Sequence, residues 1–489
     1  MNKKNGFASG IGFILAAAGS AVGLGNLWGF PYKTAQNGGA AFVIIYIACV
    51  LLIGFITMIS EIYIGKRAQA NPVTAYKKVN SNLGWFGLVA VLIPAFIICY
   101  YSILGGWTLK FTINSFNGNS GILPTFSVHT LEVIIVTGVF LLISALIIMG
   151  GVEKGIEKMS KILMPVLFLI IVGIAIYSLT LGEGVKEGLE FFLKPDFSNV
   201  TAKTILTAMG QAFYSLSLGM GIMLTYGSYI GEEISITRSC AMICIFDTVV
   251  ALLAGLAIFP AVAHFDPGLL NSSQGVVLMF VILPEVFESL GFAGKFVSFA
   301  FFLMVTIAAV TSVVSLLEVV TQFIIQKYKV MRKRAALAVI AVCFIVSIPI
   351  GISLGHVAIL EEAGPALFGI DALTFFDAVT NTVLMPICAL FACISVGWII
   401  TPKKAIEEIE AGGTYMSNWL KNVYSVMIRF VTPLLILIVE IGGIKSELEA
   451  HNYAVIVFAY GMVIFGAICY MIFYKNSYTG VNADEKGLK

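Results

Sequence analysis

Charge is what this sequence lacks most. Asp, Glu, Lys and Arg make up 11% of its 489 residues, where a soluble chain carries about 25%. A well-solvated globular surface is thereby excluded. The formal net charge is only +2, so there is no basic footprint for nucleic acid, and no nucleic-acid partner is expected. Histidine is scarce: His129, His264, His356 and His451 lie far apart and form no HExxH or HxxxH pattern. The eight cysteines stand without a CxxC pair and read as small apolar core residues. No GxxxxGK[ST] loop is present, which argues against an ATP-driven pump. No GxSxG has a usable His partner, no paired carboxylates accompany a metal motif, and no soluble segment is large enough for a catalytic domain, so an enzyme is not expected.

Apolar residues fill the space. The chain is 59% hydrophobic with a mean hydropathy of +0.98. They fall in runs of 20 or more, the length that a hydrocarbon layer ~30 Å thick demands of a helix. Backbone groups in lipid must bond internally, so such runs predict helices rather than the alternating strands of a barrel. Twelve segments are counted: roughly 10–35, 39–65, 84–114, 128–149, 160–181, 204–230, 238–263, 295–325, 336–356, 375–400, 426–444 and 453–474. With the N-terminus inside, 22 of the 29 Lys and Arg fall on the inner side and seven on the outer. That asymmetry predicts cytoplasmic termini in a plasma or inner membrane. Lys3 and Lys4 lead straight into the first segment with no A-x-A stop, so a cleaved signal peptide is not expected.

The expected organisation is an N-terminal arm (1–9), a first five-helix half (10–181), an outer loop (182–203) and a second half (204–400). A cytoplasmic loop (401–425), two last spans (426–474) and a cytoplasmic tail (475–489) follow. In the outer loop at 264–294, "HFDPGLL" and "FVILPEVFESLGF" predict short helices folded back over a vestibule. Nothing in the sequence sets an oligomeric state.

Two segments are built to break. "AAAGSAVGLGNLWGFPY", residues 16–32, holds Gly19, Gly23, Gly25, Gly29, Asn26 and Pro31. "GQAFYSLSLGMGIMLTYGSY", residues 210–229, holds Ser215, Ser217, Gly219 and Gly221. They open two five-helix halves. Five is odd, so the second half runs inverted to the first. Gly-interrupted segments at matching positions mark the site of a secondary transporter. Half-helix C-terminal carbonyls suit a cation such as sodium, and N-terminal ends suit a carboxylate. The competing reading of Gly19-xxx-Gly23 and Gly25-xxx-Gly29 is close packing between straight helices.

Polar residues within the apolar segments are few. Asp247 lies well inside "ICIFDTVVALLAGLAIF" with no Lys or Arg at that depth; a carboxylate there costs at least ~2.5 kcal/mol without a partner. A bound sodium is the natural one, and a protonated Asp bonded to a carbonyl the alternative. Thr311 and Ser312 offer adjacent hydroxyls one turn after Ala308, against ordinary back-bonding within a helix. Tyr100 and Tyr101 sit mid-segment, where a buried phenol wants a partner. Glu61 either snorkels or bonds the unwound N–H groups of the sixth segment.

These residues resemble one family, the neurotransmitter:sodium symporters with the LeuT-type fold. "GSAVGLGNLW" followed by "FPY", then "NGGAAF", "CYY", "GIEKMSKILMP", "GQAFYSLSLGMG", "TYGSY" and "AAVTSVVSLLE" match in order across nearly the whole chain. The resemblance implies an all-α membrane protein with 12 transmembrane helices, a 5+5 inverted repeat and discontinuous helices 1 and 6. It implies two sodium sites. The first uses the Ala21 carbonyl, Asn26, Ser215 and Asp247 with a substrate carboxylate oxygen. The second uses carbonyls of Gly19, Val22 and Ala308 and the hydroxyls of Thr311 and Ser312. The substrate carboxylate meets the Gly25 N–H and the Tyr101 hydroxyl. Its amino group meets carbonyls of Ala21, Tyr214 and Ser215. Leu24, Ile97, Tyr214, Ser217, Met220 and Leu316 wall the pocket beside Ser312, and Tyr101 and Tyr214 form the lid.

Three departures from the family pattern stand out. "WGFP" replaces "WRFP", so Gly29 stands where a gate arginine pairs with the residue at Asp377. On the inner side Lys4 takes the gate-arginine position, its acidic partner is Gln326, and Phe7 replaces a Trp. Ala251 stands where chloride-dependent members carry a Ser, and Asp247 supplies a fixed carboxylate instead, which implies chloride-independent transport. Gly23 leaves no Asp for a monoamine, and flexible Met220 between two glycines favours a bulky apolar or aromatic amino acid. The alternatives are a transporter of another small carboxylated amine, a channel, or an amino-acid sensor that does not transport.

Overall fold

The computed structural model describes residues 6–198, 200–271, 277–354, 372–413 and 415–474. It is helical, with no strand among the described residues. Ten helices there are long and apolar enough to cross a membrane, and a bent pair makes an eleventh. The pair is α1 (Gly10–Ala21) and α2 (Gly25–Gln36), bent by 48°. The continuous spans are α3 (Ala40–Ala68), α4 (Gly84–Asn114), α5 (Thr130–Met149) and α6 (Val152–Ser178). After the shorter α7 (Ala202–Ser215) and α8 (Ile222–Gly227) come α9 (Ile236–Phe265) and α10 (Gly291–Tyr328). The last four are α11 (Arg332–Ser353), α12 (Ala372–Ile400), α13 (Asn418–Glu449) and α14 (Tyr453–Phe473). The twelve apolar segments thus correspond to these helices, the sixth being the α7–α8 pair, whose pieces are each too short to cross alone.

Burial sorts the spans into layers. The apolar windows of α10 and α4 are 89% and 83% buried, against 28% for α14. The first two therefore form the spine, and α14 leaves most of its apolar surface outward, where in a membrane protein lipid covers it. In the loop between α6 and α7 lies Val185–Leu193; between α9 and α10 lie Pro267–Asn271, Leu278–Ile282 and Leu283–Ser289, the short helices expected there.

Local chemistry sets the breaks. The Ser9 hydroxyl accepts from the Gly12 N–H and starts α1. Val22 ends it in an extended conformation, ψ 96°. The chain resumes in a π-helical turn, Gly25–Gly29, a geometry that leaves backbone groups out of the regular ladder. In the second break Ser217, Gly219 and Gly221 take φ of 54°, 75° and 70°. A Cβ at Gly219 would run into the Met385 backbone, so only glycine fits. The left-handed Ser217 costs roughly 1–3 kcal/mol and is held by its hydroxyl, which donates to the Ser20 carbonyl at 3.0 Å. Glu61 supplies a further tie: its Oε1 accepts from the Gly219 N–H at 2.8 Å. Of the two sequence alternatives for Glu61, bonding to the unwound segment is what the fold displays.

Lys66, Arg67 and Lys78 line one cavity together with Ile230 and Ile236, at the end of the bundle called the basic face below. There the N-terminal arm is fastened down. The Phe7 N–H donates to the Tyr229 carbonyl at 3.2 Å, and its ring packs edge-on to Phe13 and Tyr226. Glu157 accepts from the Ala8 N–H, the Ser9 hydroxyl and Lys161. Fully buried Glu318 accepts from Tyr229 at 2.6 Å and pairs with Arg332.

Candidate functional site

The two breaks face each other, and their polar groups meet at Asp247. This carboxylate is fully buried on α9. Its Oδ1 accepts from the Asn26 amide and the Ser215 hydroxyl, each at 2.8 Å. Its Oδ2 lies 2.8 Å from the same Ser215 hydroxyl and 3.0 Å from the Tyr46 hydroxyl. Asn26 also donates to the Asp247 carbonyl, and its Oδ1 accepts from the Gly23 N–H. Three of the four first-site residues are thus joined directly; the fourth, Ala21, is the last residue of α1. With no basic side chain in the cluster, a carboxylate ringed by neutral donors has its charge available for a cation.

Beside the cluster lies a small cavity with about 30 Å³ of free space, room for about one water. Ala21 and Gly25 from the first break and Tyr214, Ser217 and Met220 from the second line it. Ile97 and Tyr101 of α4 and Ser312 and Leu316 of α10 complete the expected wall, and Ser20, Gly23 and Ile222 join it. Leu24 and Ser215 stand outside the lining. Leu24 donates its N–H to the Tyr101 hydroxyl at 3.0 Å, and Ser215 turns to Asp247. Tyr101 therefore accepts from the broken backbone. The Tyr214 ring lies over Gly25, where a Cβ would come within 3.0 Å of it.

The hydroxyls expected at a second cation site behave differently from the first. Thr311 donates to the carbonyls of Ile307 and Ala308, the latter at 3.0 Å, which is the back-bonding alternative. Ser312 reaches across to the Ser20 carbonyl at 3.2 Å. Gly19 faces them: a Cβ there would stand 3.5 Å from Thr311 Cβ. Ala308 is fully buried, and Val22 is the residue that ends α1.

A family model for the sodium:neurotransmitter symporter family matches residues 4–124 and 128–478. The chain belongs to that family. It is accordingly a secondary transporter with the LeuT-type fold, not an enzyme. Among symporter relatives, an uncharacterised sodium-dependent transporter, YhdH of Bacillus subtilis, is 35% identical over 90% of this chain and 98% of its own length. The sodium-dependent nutrient amino acid transporter 1 of Drosophila willistoni is 24% identical over 96% of this chain and 82% of its own. Among solved structures, the symporter MhsT in complex with L-phenylalanine superposes with a TM-score of 0.80. It is 35% identical, covering 90% of this chain and all of MhsT.

In this symporter the residues expected at the gates have the following partners. Asp377 accepts from the Tyr100 hydroxyl at 3.2 Å and from Asn381. Lys4 lies outside the described residues. Gln326 accepts from both the backbone N–H and the side-chain amide of Asn71. Four participants escaped the sequence reading. Tyr46, Gln211 and Ser20 carried no expected role, and Lys33 was counted only among the outer charges. No spacing rule joins Tyr46 to Asp247, 201 positions away.

Proposed function

We propose that this symporter couples sodium entry to uptake of an α-amino acid with a bulky apolar or aromatic side chain, independently of chloride. The carrying observation is the cavity between the two helix breaks, with Asp247, Asn26 and Ser215 at its edge. The substrate carboxylate meets Gly25 and Tyr101, and its amino group the carbonyls of Ala21, Tyr214 and Ser215. Gly23, where a Cβ would crowd Tyr101 and Ser312, leaves no room for an amine-binding carboxylate. Met220, flexible between two glycines, favours a large side chain because it can move aside and repack.

Two sodium ions are assigned. One sits with the Ala21 carbonyl, Asn26, Ser215 and Asp247; the other with carbonyls of Gly19, Val22 and Ala308 and the hydroxyls of Thr311 and Ser312. Each ordered break serves both ion and solute, so each ligand raises the affinity for the other. Chloride independence rests on Asp247, a fixed anion held by four side-chain contacts, and on Ala251, which has no hydroxyl. We place the basic face in the cytoplasm with both termini, in the plasma or inner membrane, and read 10–181 and 204–400 as the inverted halves.

Proteoliposomes with an imposed sodium gradient test this. Labelled phenylalanine should accumulate with sodium and not with potassium, unchanged when gluconate replaces chloride. Unlabelled tyrosine, tryptophan and leucine should compete better than alanine. Binding without accumulation would make the protein a sensor, currents far above carrier rates would make it a channel, and potent alanine alone would defeat the size assignment.

A further inference from the structure

Gly29 leaves this symporter without a side chain where its family places a gate cation, yet the space is filled. Lys33 follows one helical turn later on α2, on the same face. Its ammonium donates to Gln211 Oε1 at 2.8 Å. A Cβ built at Gly29 would stand 3.5 Å from that same oxygen. The two positions thus converge on one amide oxygen, and a long side chain at residue 29 would reach the place the ammonium holds.

The surroundings of that ammonium are those of a closure. It lies 5.8 Å from the ring centroids of Tyr32 and Tyr214, within cation–π reach of the lid tyrosine. Asp377 lines the same cavity as Lys33, about 260 Å³, and acts electrostatically on it. Tyr100 and Asn381 hold Asp377 from its own side. Gln211 in turn donates through Nε2 to the Gly25 carbonyl at 2.7 Å, at the first break.

We propose that Lys33 is the gate cation of this chain, moved one turn along α2, and that through Gln211 it reports the state of the Gly25 break to the closure opposite Asp377. The proposal builds on the transport reading, but its main test needs no substrate. Hydrogen exchange is followed on the full chain in nanodiscs with sodium, in peptides covering 28–36 and 377–384. K33M should raise exchange there at least about tenfold, the effect of losing a hydrogen bond to a charged group. G29R/K33M, which returns a cation to residue 29, should restore protection. K203M, which removes an exposed lysine of the same cavity, should change nothing. K33Q serves if K33M does not survive purification. Wild-type exchange in K33M, no restoration in the double variant, or an equal loss in K203M would each overturn the assignment. Sodium-driven phenylalanine uptake, run in parallel, should follow the same order. Failure of wild-type uptake alone would defeat the transport reading and leave the exchange result to decide the gate.

Discussion

Replacing Gly23 with alanine adds one methyl group to the wall of the proposed substrate site. The new Cβ would lie 2.5 Å from Ser312 Oγ, 2.9 Å from the Tyr101 hydroxyl and 3.5 Å from Ser312 Cβ. To relieve the first contact, Ser312 must turn away from the Ser20 carbonyl. To relieve the second, Tyr101 must leave the Leu24 N–H. Each lost hydrogen bond is worth about 1 kcal/mol, and overpacking of a filled site costs typically ~1–3 kcal/mol. The two hydrogen bonds are lost with or without ligand, and the added methyl also takes space from the solute. Apparent affinity for phenylalanine should therefore drop by about 5- to 150-fold, the equivalent of ~1–3 kcal/mol. The unliganded melting temperature should fall as well, by the equivalent of the ~2 kcal/mol of two lost hydrogen bonds. Equilibrium binding of labelled phenylalanine in detergent, with a thermal melt of the same sample, measures both. An affinity within about twofold of wild type, less than ~0.5 kcal/mol, would refute the argument that Gly23 closes the wall.

Three other outcomes are expected. Asp247→Ala deprives Asn26, Ser215 and Tyr46 of their shared acceptor; the sodium concentration for half-maximal uptake should rise at least about tenfold, given ~1.5–3 kcal/mol for a charged contact, as a sodium titration of uptake reads directly. Arg332→Met strands a fully buried Glu318; breaking such a pair costs about 3–5 kcal/mol, so the melting temperature should fall sharply, and E318Q/R332M should recover much of it. Glu61→Leu leaves the Gly219 N–H without its acceptor, at ~1–3 kcal/mol; hydrogen exchange across 216–221 should quicken while the spine helix α4 stays protected.

The spans were legible because an apolar run of membrane length has one stable form, and the breaks because glycine and asparagine in such a run serve no spanning purpose. Asp247 announced itself by its cost in an apolar setting. What the sequence hid were contacts that exist only once the helices pack. Tyr46 carries one polar atom on a large apolar ring, so its hydroxyl vanishes into the hydropathy of α3. Gln211 acts through both ends of its amide, on Lys33 and on Gly25, and neither end is visible from its neighbours in the chain. Lys33 is the sharper case. Gly29 was plainly odd, and reading one helical turn further would have reached the cation, but that step needs the knowledge that residues 29 and 33 converge on one amide oxygen.

The hydrogens of Thr311 and Ser312 are already spoken for. A carbonyl has none to give, so each hydroxyl must point its own hydrogen at its partner: Thr311 toward Ile307 and Ala308, Ser312 toward Ser20. What these oxygens have left for a visitor is lone pairs alone. At the proposed second sodium site, back-bonding and ion coordination would then be one device. It would orient two weak dipoles negative end outward before any ion arrives, so that a small bare cation would need little reorganisation there and an anion would be disfavoured. Polarity of this kind selects by sign before it selects by size.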